Sequence, residues 1–238
     1  MNLINRFSRT VLYIYGLGWL LGGLIYSYAV MAAPGLYSPA TAYTPERASQ
    51  FIQNLQPYWF YYVLAFTVFT VADTAMMLLG LVLRQFFGAN FNTNTAAFCL
   101  FAAGLIGVCV DLNLLTCWML MGFFNLSTEI LQSFWSVFLV FQYLGIVLSA
   151  WGFIIGAIGI YLVYKTSQQS NLVSNNWRKG TLVIFWLCLL NAIAIIYALG
   201  TNNGIPIALL FLIFTVIAAP IWALSLAKNP ALYNKKRG

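Results

Sequence analysis

Long apolar runs, separated by short polar stretches, make up most of the chain. Six of them are long enough to cross a bilayer as helices, since about 20 apolar residues span a hydrocarbon core of about 30 Å. Transmembrane β-strands would alternate apolar and polar residues, and runs such as "GTLVIFWLCLLNAIAIIYALG" do not alternate. The predicted spans cover about residues 11–32, 58–83, 95–122, 134–164, 180–200 and 204–227.

The composition also indicates that the chain is surrounded by a lipid bilayer. Of the 238 residues, 62% are hydrophobic and only 6% are charged, whereas soluble domains carry about 25% charged residues. A water-facing surface cannot be built from so few charges, and no change of composition separates a second domain. We therefore predict one integral membrane domain over residues 1–238, an all-α polytopic bundle of six transmembrane helices. Its expected surroundings are the lipid bilayer rather than nucleic acid.

The basic residues predict the orientation of the bundle. When alternate loops are assigned to two sides, one side holds only Arg47. The other side holds Arg6, Arg9, Arg84, Lys165, Arg178, Lys179, Lys228, Lys235, Lys236 and Arg237. By the positive-inside rule, both termini are cytoplasmic, in a plasma or bacterial inner membrane. The first run exceeds the 7–15 apolar residues of a signal-peptide core, so we expect it to be retained as a span.

The loop after the first span contains a short helix signal, "TPERASQFIQNLQP". Thr44 is a favourable N-cap, Pro45 suits the first helical position, and Pro57 ends the pattern. The apolar residues fall on one stripe of a helix over about residues 45–55. The pattern predicts a helix lying in the membrane interface, either as a lid over a cavity or as a simple connector.

Small residues on the fourth span predict a packing seam. They recur every three or four residues and therefore share one helix face, where close backbone approach drives association in lipid. The seam comprises Gln142, Gly145, Ser149, Gly152, Gly156 and Gly159. Shorter versions occur in the first span (Gly18 and Gly22) and in the third (Gly104 and Gly107).

Two further features concern the shape and place of helices. The third span has polar residues on opposite sides, around Asp111 and Asn113, which predicts a central position in the bundle. In the sixth span, Pro220 predicts a kink, because proline lacks a backbone N–H.

Asp73 and Asp111 are the candidate functional residues, since an aspartate at the centre of a span costs about 2.5–3.5 kcal/mol. Asp73 lies about 16 Å from the basic end of its predicted span and Asp111 about 24 Å from its own, at 1.5 Å per residue. This difference disfavours direct contact between the two side chains, although tilted helices could close the gap. Polar residues that would line a cavity with them are Thr70, Thr74, Asn113, Gln142 and Asn191.

The chain offers no other recognisable chemistry. It contains no histidine, no glycine-rich phosphate loop and no nucleophile paired with a base. Its four cysteines, Cys99, Cys109, Cys117 and Cys188, fall within predicted spans without metal-binding spacing and are interpreted as small packing residues. We therefore predict no metal, no cofactor and no catalytic residue.

Several stretches resemble an uncharacterised group of six-span bacterial membrane proteins, domain of unknown function 4386. They are "FTVADTAMMLLGLVLRQ" in the second span, "DLNLL" in the third and "YLGIVLSAWGFIIGAIGIYLVYKT" in the fourth. The similarity covers roughly residues 60–166. It implies a six-span fold and no established chemistry, so no catalytic residue carries over.

Three classes of function fit these observations. The first is a permease for a small solute or ion that uses the intramembrane carboxyl groups. The second is a structural or assembly subunit, in which the acids only join neighbouring helices, with a second copy or a larger membrane complex as partner. The third is a membrane-embedded enzyme, which the missing nucleophile–base set disfavours.

The predicted topology has a direct test by cysteine labelling in sealed cells. A cysteine probe at Ser38 or Ser127 is expected to react with an impermeant reagent added outside. A probe at Ser170 is expected to stay unlabelled, because its loop belongs to the basic, cytoplasmic side. Labelling at Ser170 would contradict the orientation.

Overall fold

The computed structural model describes residues 3–32, 56–123, 128–201 and 205–233. Its long helices are α1 Leu3–Ala32, α2 Trp59–Phe87, α3 Phe91–Phe123, α4 Thr128–Gln168 and α5 Asn175–Thr201. The sixth span comprises α6 Ile205–Leu212, a π-helical stretch Ile213–Ala218 and α7 Ala219–Ala227, and short 3-10 turns lie at Gln56–Tyr58 and Pro230–Leu232. The six apolar spans are confirmed, and the described residues contain no strand. The predicted interfacial helix at 45–55 lies outside the described residues.

Most helices extend beyond the predicted spans. The first begins at Leu3 rather than near residue 11, and α4 covers 41 residues rather than 31. Hydropathy marks only the part of a helix that matches hydrocarbon, whereas a helix continues through the headgroup region as long as its backbone bonds are satisfied. At 1.5 Å per residue, α4 is about 61 Å long.

The helices form a closed ring. Each span packs against the next along the chain, and the sixth span returns to pack against α1 and α5. Short connections make α2 and α3 antiparallel, with only residues 88–90 between them. Gly88 adopts a φ of 83°, a left-handed conformation that glycine tolerates without strain. The ring brings side chains from several spans together at its centre.

Glycines bring α2 and α3 unusually close together. A Cβ added to Gly80 would lie 2.5 Å from Ala97 Cα, and one added to Gly104 would lie 2.7 Å from the backbone oxygen of Asp73. Nearer the other end of the pair, the rings of Tyr62 and Trp118 stack with their centroids 4.0 Å apart. Without a hydrophobic effect between helices in lipid, such close backbone contact supplies the packing energy.

The seam on α4 faces α3, but it is looser than the contact between α2 and α3. A Cβ at Gly152 would lie 3.4 Å from Ile106, and one at Gly156 would lie 3.4 Å from Met76, both ordinary contact distances. Only Gly159 is tight, at 3.1 Å from Cys99. The side chain of Gln142, at the start of the seam, lies outside what the structure describes.

The sixth span widens ahead of its proline. The helix is π-helical over Ile213–Ala218, directly before Pro220, and the backbone N–H of Ala219 bonds to the oxygen of Phe214. Pro220 has no N–H to donate, and its ring crowds the preceding turn. The wider turn packs against Gly23 of α1, where an added Cβ would lie 2.5 Å from Thr215 Oγ1.

One end of the bundle, here called the basic end, collects the helix termini and the basic residues. Asn5 Nδ2 donates to the carbonyl of Tyr233 at 3.0 Å, and Asn229 Nδ2 donates to that of Leu172 at 2.9 Å. Every lysine and arginine within the described ranges lies here: Arg6, Arg9, Arg84, Lys165, Arg178, Lys179 and Lys228.

The glycine contacts predict which substitutions the fold tolerates. Gly80→Ala is expected to lower the stability in detergent by about 1–3 kcal/mol, because the added methyl overlaps the backbone of α3. Gly152→Ala is the matched control and is expected to change stability little, since its methyl finds ordinary contact distances. Thermal unfolding of both variants checks this. Equal melting temperatures would contradict the assignment of close contact.

Candidate intramembrane carboxyl site

Asp73 and Asp111 lie in contact in the interior of the bundle. Their side chains are 5% and 6% exposed, and the two carboxyl groups lie close enough to share a hydrogen bond when one of them is protonated. The depth comparison had disfavoured this contact, and the structure shows that the gap is closed. This pair of acids, contributed by α2 and α3, is called the carboxyl pair below.

The direction of the side chains explains why the acids meet. Gly107 lies directly against the Asp73 carboxyl group. Asp111 is one turn further along α3, about 6 Å farther from the basic end than Gly107. In a helix, each Cα–Cβ bond tilts towards the N-terminus. Because α2 and α3 are antiparallel, Asp73 leans away from the basic end and Asp111 leans towards it. The two tilts close a gap that a comparison of depths along the axes leaves open.

Gly107 provides the space for the carboxyl group of Asp73. A Cβ at Gly107 would overlap the Asp73 carboxyl oxygens, and one at Gly104 would press on Met77 in the next turn of α2. The two glycines of the third span therefore have a role that their spacing alone did not reveal. They let an acid from α2 lie against the backbone of α3.

The contact requires a proton between the two acids. An ionised carboxylate accepts hydrogen bonds and donates none, so two carboxylates cannot bond to each other. A second buried charge beside the first would also be strongly unfavourable. Within the described part of the chain neither acid has an ion-pair partner, and Arg84 is eleven residues from Asp73, about 16 Å along α2. Asp111 Oδ2 is buried without a hydrogen-bond partner among the described residues.

A buried tyrosine and a buried cysteine lie on other helices of the ring. Tyr15 of α1 is 2% exposed and Cys188 of α5 is 4% exposed, and Tyr15 lies within electrostatic range of both Cys188 and Asp73. The sequence could not predict these lateral relations, because hydropathy does not report how spans are arranged around the bundle.

The other predicted site residues are distributed differently. Thr70 and Thr74 donate to the carbonyl oxygens of Phe66 and Thr70, at 2.8 and 2.7 Å, within their own helix. Asn113 Nδ2 donates to the Phe141 carbonyl at 2.9 Å and so joins α3 to α4. These hydroxyl and amide groups serve the helix backbones rather than the carboxyl pair.

Asn191 is fully buried and faces the sixth span. Its Nδ2 donates to the carbonyl of Leu187 at 2.8 Å and to that of Leu210 at 3.4 Å. Its Oδ1 has no hydrogen-bond partner among the described residues. Cys188 precedes it by nearly one turn on the same buried face of α5.

Two further features of the described residues lie apart from the acids or are limited to them. Within the described ranges, no three His, Cys, Asp or Glu side chains converge. A groove of about 340 Å³ lies between α1 and α2, but its lining, from Tyr13 to Leu21 and from Thr67 to Val71, does not include the carboxyl pair. That groove is apolar and suits an acyl chain of the bilayer.

Comparison with protein-family models, with curated proteins and with solved structures finds no match to this chain. The fold and the site define a class, a multi-pass integral membrane protein with an intramembrane carboxyl pair. Its function is therefore argued from geometry.

A double-mutant cycle tests the contact. The single variants Asp73→Ala and Asp111→Ala are each expected to destabilise the protein, and the double variant by less than their sum, with a coupling of about 0.5–3 kcal/mol. The reason is that each single variant leaves the other acid buried without its partner. Asp73→Ala combined with Thr116→Ala, whose exposed hydroxyl bonds its own helix, is the additive control. An additive Asp73/Asp111 cycle would contradict the contact.

Proposed function

We propose that this protein is a permease that couples the movement of a small solute or ion to proton binding at Asp73 and Asp111. The observation that supports it is the buried pair of carboxyl groups in the bundle interior, close enough to share a proton, with Asp111 Oδ2 without a hydrogen-bond partner among the described residues. Both termini face the cytoplasm in this proposal, and the membrane is a plasma or bacterial inner membrane.

The free-energy cost of placing two acids inside the membrane favours a functional role for them. Each aspartate at the centre of a span costs about 2.5–3.5 kcal/mol, and intramembrane ionisable residues commonly mark ion or proton pathways. The chain has only four acidic side chains in total, and half of them lie at this site. Helix joining alone is achieved elsewhere in the bundle by neutral groups, as Asn113 does between α3 and α4.

The proposed coupling between proton binding and solute movement follows from the charge of the carboxyl pair. With one proton the pair carries a single negative charge, and with two it is neutral. In a low-dielectric interior the anion is stable only beside a cation or water, so gain or loss of the proton changes which conformation is favoured. The α2–α3 contact is where this change acts, because Asp73 lies against the backbone of α3 at Gly107.

A structural or assembly subunit is the second candidate. The nearly complete burial of both acids and the tight glycine contacts around them favour it. In that role the protonated pair would only bond α2 to α3, and an amide in place of one acid would serve equally well.

Proteoliposomes containing a pH-sensitive dye separate the two candidates. A panel of small solutes and ions is added outside, and solute-dependent proton movement is recorded. We expect at least one solute to move protons in wild-type protein and the movement to fall by about 100-fold or more in Asp73→Asn, which keeps shape and hydrogen bonding but cannot ionise.

Thr74→Val is the control, because its exposed hydroxyl bonds only the Thr70 carbonyl of its own helix. It is expected to retain the wild-type rate. Equal rates in wild type and Asp73→Asn, or no solute-dependent proton movement in either, would overturn the permease and favour the structural subunit.

A further inference from the structure

We propose that the groove between α1 and α2 binds one acyl chain of an anionic phospholipid, whose phosphate group is held by Arg6 at the basic end. The lipid belongs to the leaflet on that side of the membrane. The groove is separate from the carboxyl pair, and this lipid site does not depend on the proposed transport activity.

The groove lies beside a close contact between the two helices. Gly18 of α1 is buried in that contact, and a Cβ added to it would lie 2.9 Å from the Ala72 Cβ of α2. Larger side chains on both helices then enclose a space of about 340 Å³. Its walls include Leu17, Leu21 and Val71, which are 43%, 51% and 51% exposed. The groove therefore opens to the bilayer rather than into the bundle.

The lining of the groove suits hydrocarbon rather than a polar solute. Of the eight residues that line it, only Tyr13 and Thr67 carry a hydroxyl group. Thr67 Oγ1 already donates to the Val63 carbonyl of its own helix at 2.7 Å, and Tyr13 is the α1 residue of the lining nearest the basic end. A chain of methylene groups makes dispersion contacts along such walls and needs no hydrogen bond from them.

Arg6 lies on the face of α1 that forms the groove. The residues that share its face follow it at i+4, i+7 and i+11 and are Thr10, Tyr13 and Leu17. Arg6 and Thr10 are exposed, and the Thr10 hydroxyl donates to the Arg6 carbonyl within the helix. One continuous lipid-facing stripe therefore leads from the guanidinium group of Arg6 into the groove.

The distance from Arg6 to the far end of the groove matches the thickness of one leaflet. Leu21 follows Arg6 by 15 residues, about 22 Å along α1 at 1.5 Å per residue. Half of a bilayer, including its headgroup region, is about 20–22 Å. A phosphate group at Arg6 therefore places the acyl chain along Thr10 and Tyr13, with its end in the groove near the middle of the membrane.

The charges at the basic end favour an anionic headgroup. A guanidinium group can form two parallel hydrogen bonds with phosphate oxygens. Arg9 packs over the Tyr233 ring, 4.1 Å from its centroid, so Arg6 is the exposed arginine of α1. Asp73 and Asp111, the acids whose side chains the structure describes, lie in the interior and do not compete for it. A zwitterionic lipid would add an ammonium group, which the neighbouring basic residues repel.

Native mass spectrometry tests the site, because it counts bound lipids one by one. Delipidated protein in detergent is titrated with phosphatidylglycerol and, separately, with phosphatidylcholine of the same acyl chains. The dissociation constant of the first bound lipid is measured for each. We expect phosphatidylglycerol to bind at least about five-fold more tightly, and Arg6→Gln to weaken its binding by about five-fold, the effect of one basic residue near an anionic headgroup.

Arg84→Gln is the charge-matched control. Arg84 is exposed at the same end of the bundle, but it follows Gly80 by one turn on the face of α2 that packs against α3. Its replacement is expected to leave phosphatidylglycerol binding close to that of wild type. Equal dissociation constants in wild type and Arg6→Gln, or equal binding of the two lipids, would overturn the headgroup assignment.

Leu17→Trp tests the groove itself, because the indole ring occupies the space of the acyl chain. We expect it to abolish the tight first binding event, and Val71→Trp on the opposite wall to do the same. Leu24→Trp is the control, since Leu24 is 49% exposed seven residues further along the same face and does not line the groove. Melting temperatures of the delipidated variants check that each is folded.

Two results would overturn the groove as the lipid site. One is tight phosphatidylglycerol binding in both groove variants. The other is a dimer in the spectra that Leu17→Trp dissociates, because a second copy of the chain would then occupy the groove.

Discussion

The close contact between α2 and α3 is the interaction on which the rest of the structure depends. Gly80, Gly104 and Gly107 remove the side chains that would hold the two backbones apart, and Asp73 occupies the space beside Gly107. In lipid, where apolar side chains gain nothing by leaving the solvent, such contact and the polar bonds it permits hold helices together. The same contact places two acids within hydrogen-bonding reach. The contact between α2 and α3 therefore provides both the helix packing and the position of the two acids.

The ring arrangement adds to this contact. Because α1 packs on α2 and the sixth span packs on α1, the Tyr15 ring of α1 meets Trp222 of the sixth span edge-on. The π-helical stretch before Pro220 fits against Gly23 of α1.

Hydropathy and charge predicted the six spans because the bilayer imposes a length and a composition on every helix that crosses it. The seam of α4 was also read from spacing, and it does face α3. The spacing did not reveal that Gly104 and Gly107 make much tighter contacts than Gly152 or Gly156. Spacing identifies a face, but only the partner helix decides how close the approach is.

The carboxyl pair shows more clearly that spacing along the sequence does not determine which side chains meet. The difference in depth estimated from the sequence, about 8 Å, disfavoured contact unless tilts closed the gap. In the structure the tilt of each Cα–Cβ bond points Asp73 and Asp111 towards each other in antiparallel helices, and the spacing along the sequence does not reveal which side chains face each other in this way. The neighbours of Tyr15 and Cys188 could not be predicted at all, because they depend on the order of helices around the ring.

Asp73 and Asp111 are the only aspartates in the chain, which allows a direct measurement of the central claim. Protein labelled with ¹³C in aspartate and reconstituted in lipid gives two side-chain carboxyl signals by solid-state NMR. If the acids share a proton, the signals are joined by a carboxyl–carboxyl cross-peak, and at least one has a shift outside the ionised range at neutral pH. Two uncorrelated signals, both with the shifts of ionised carboxylates, would contradict the account.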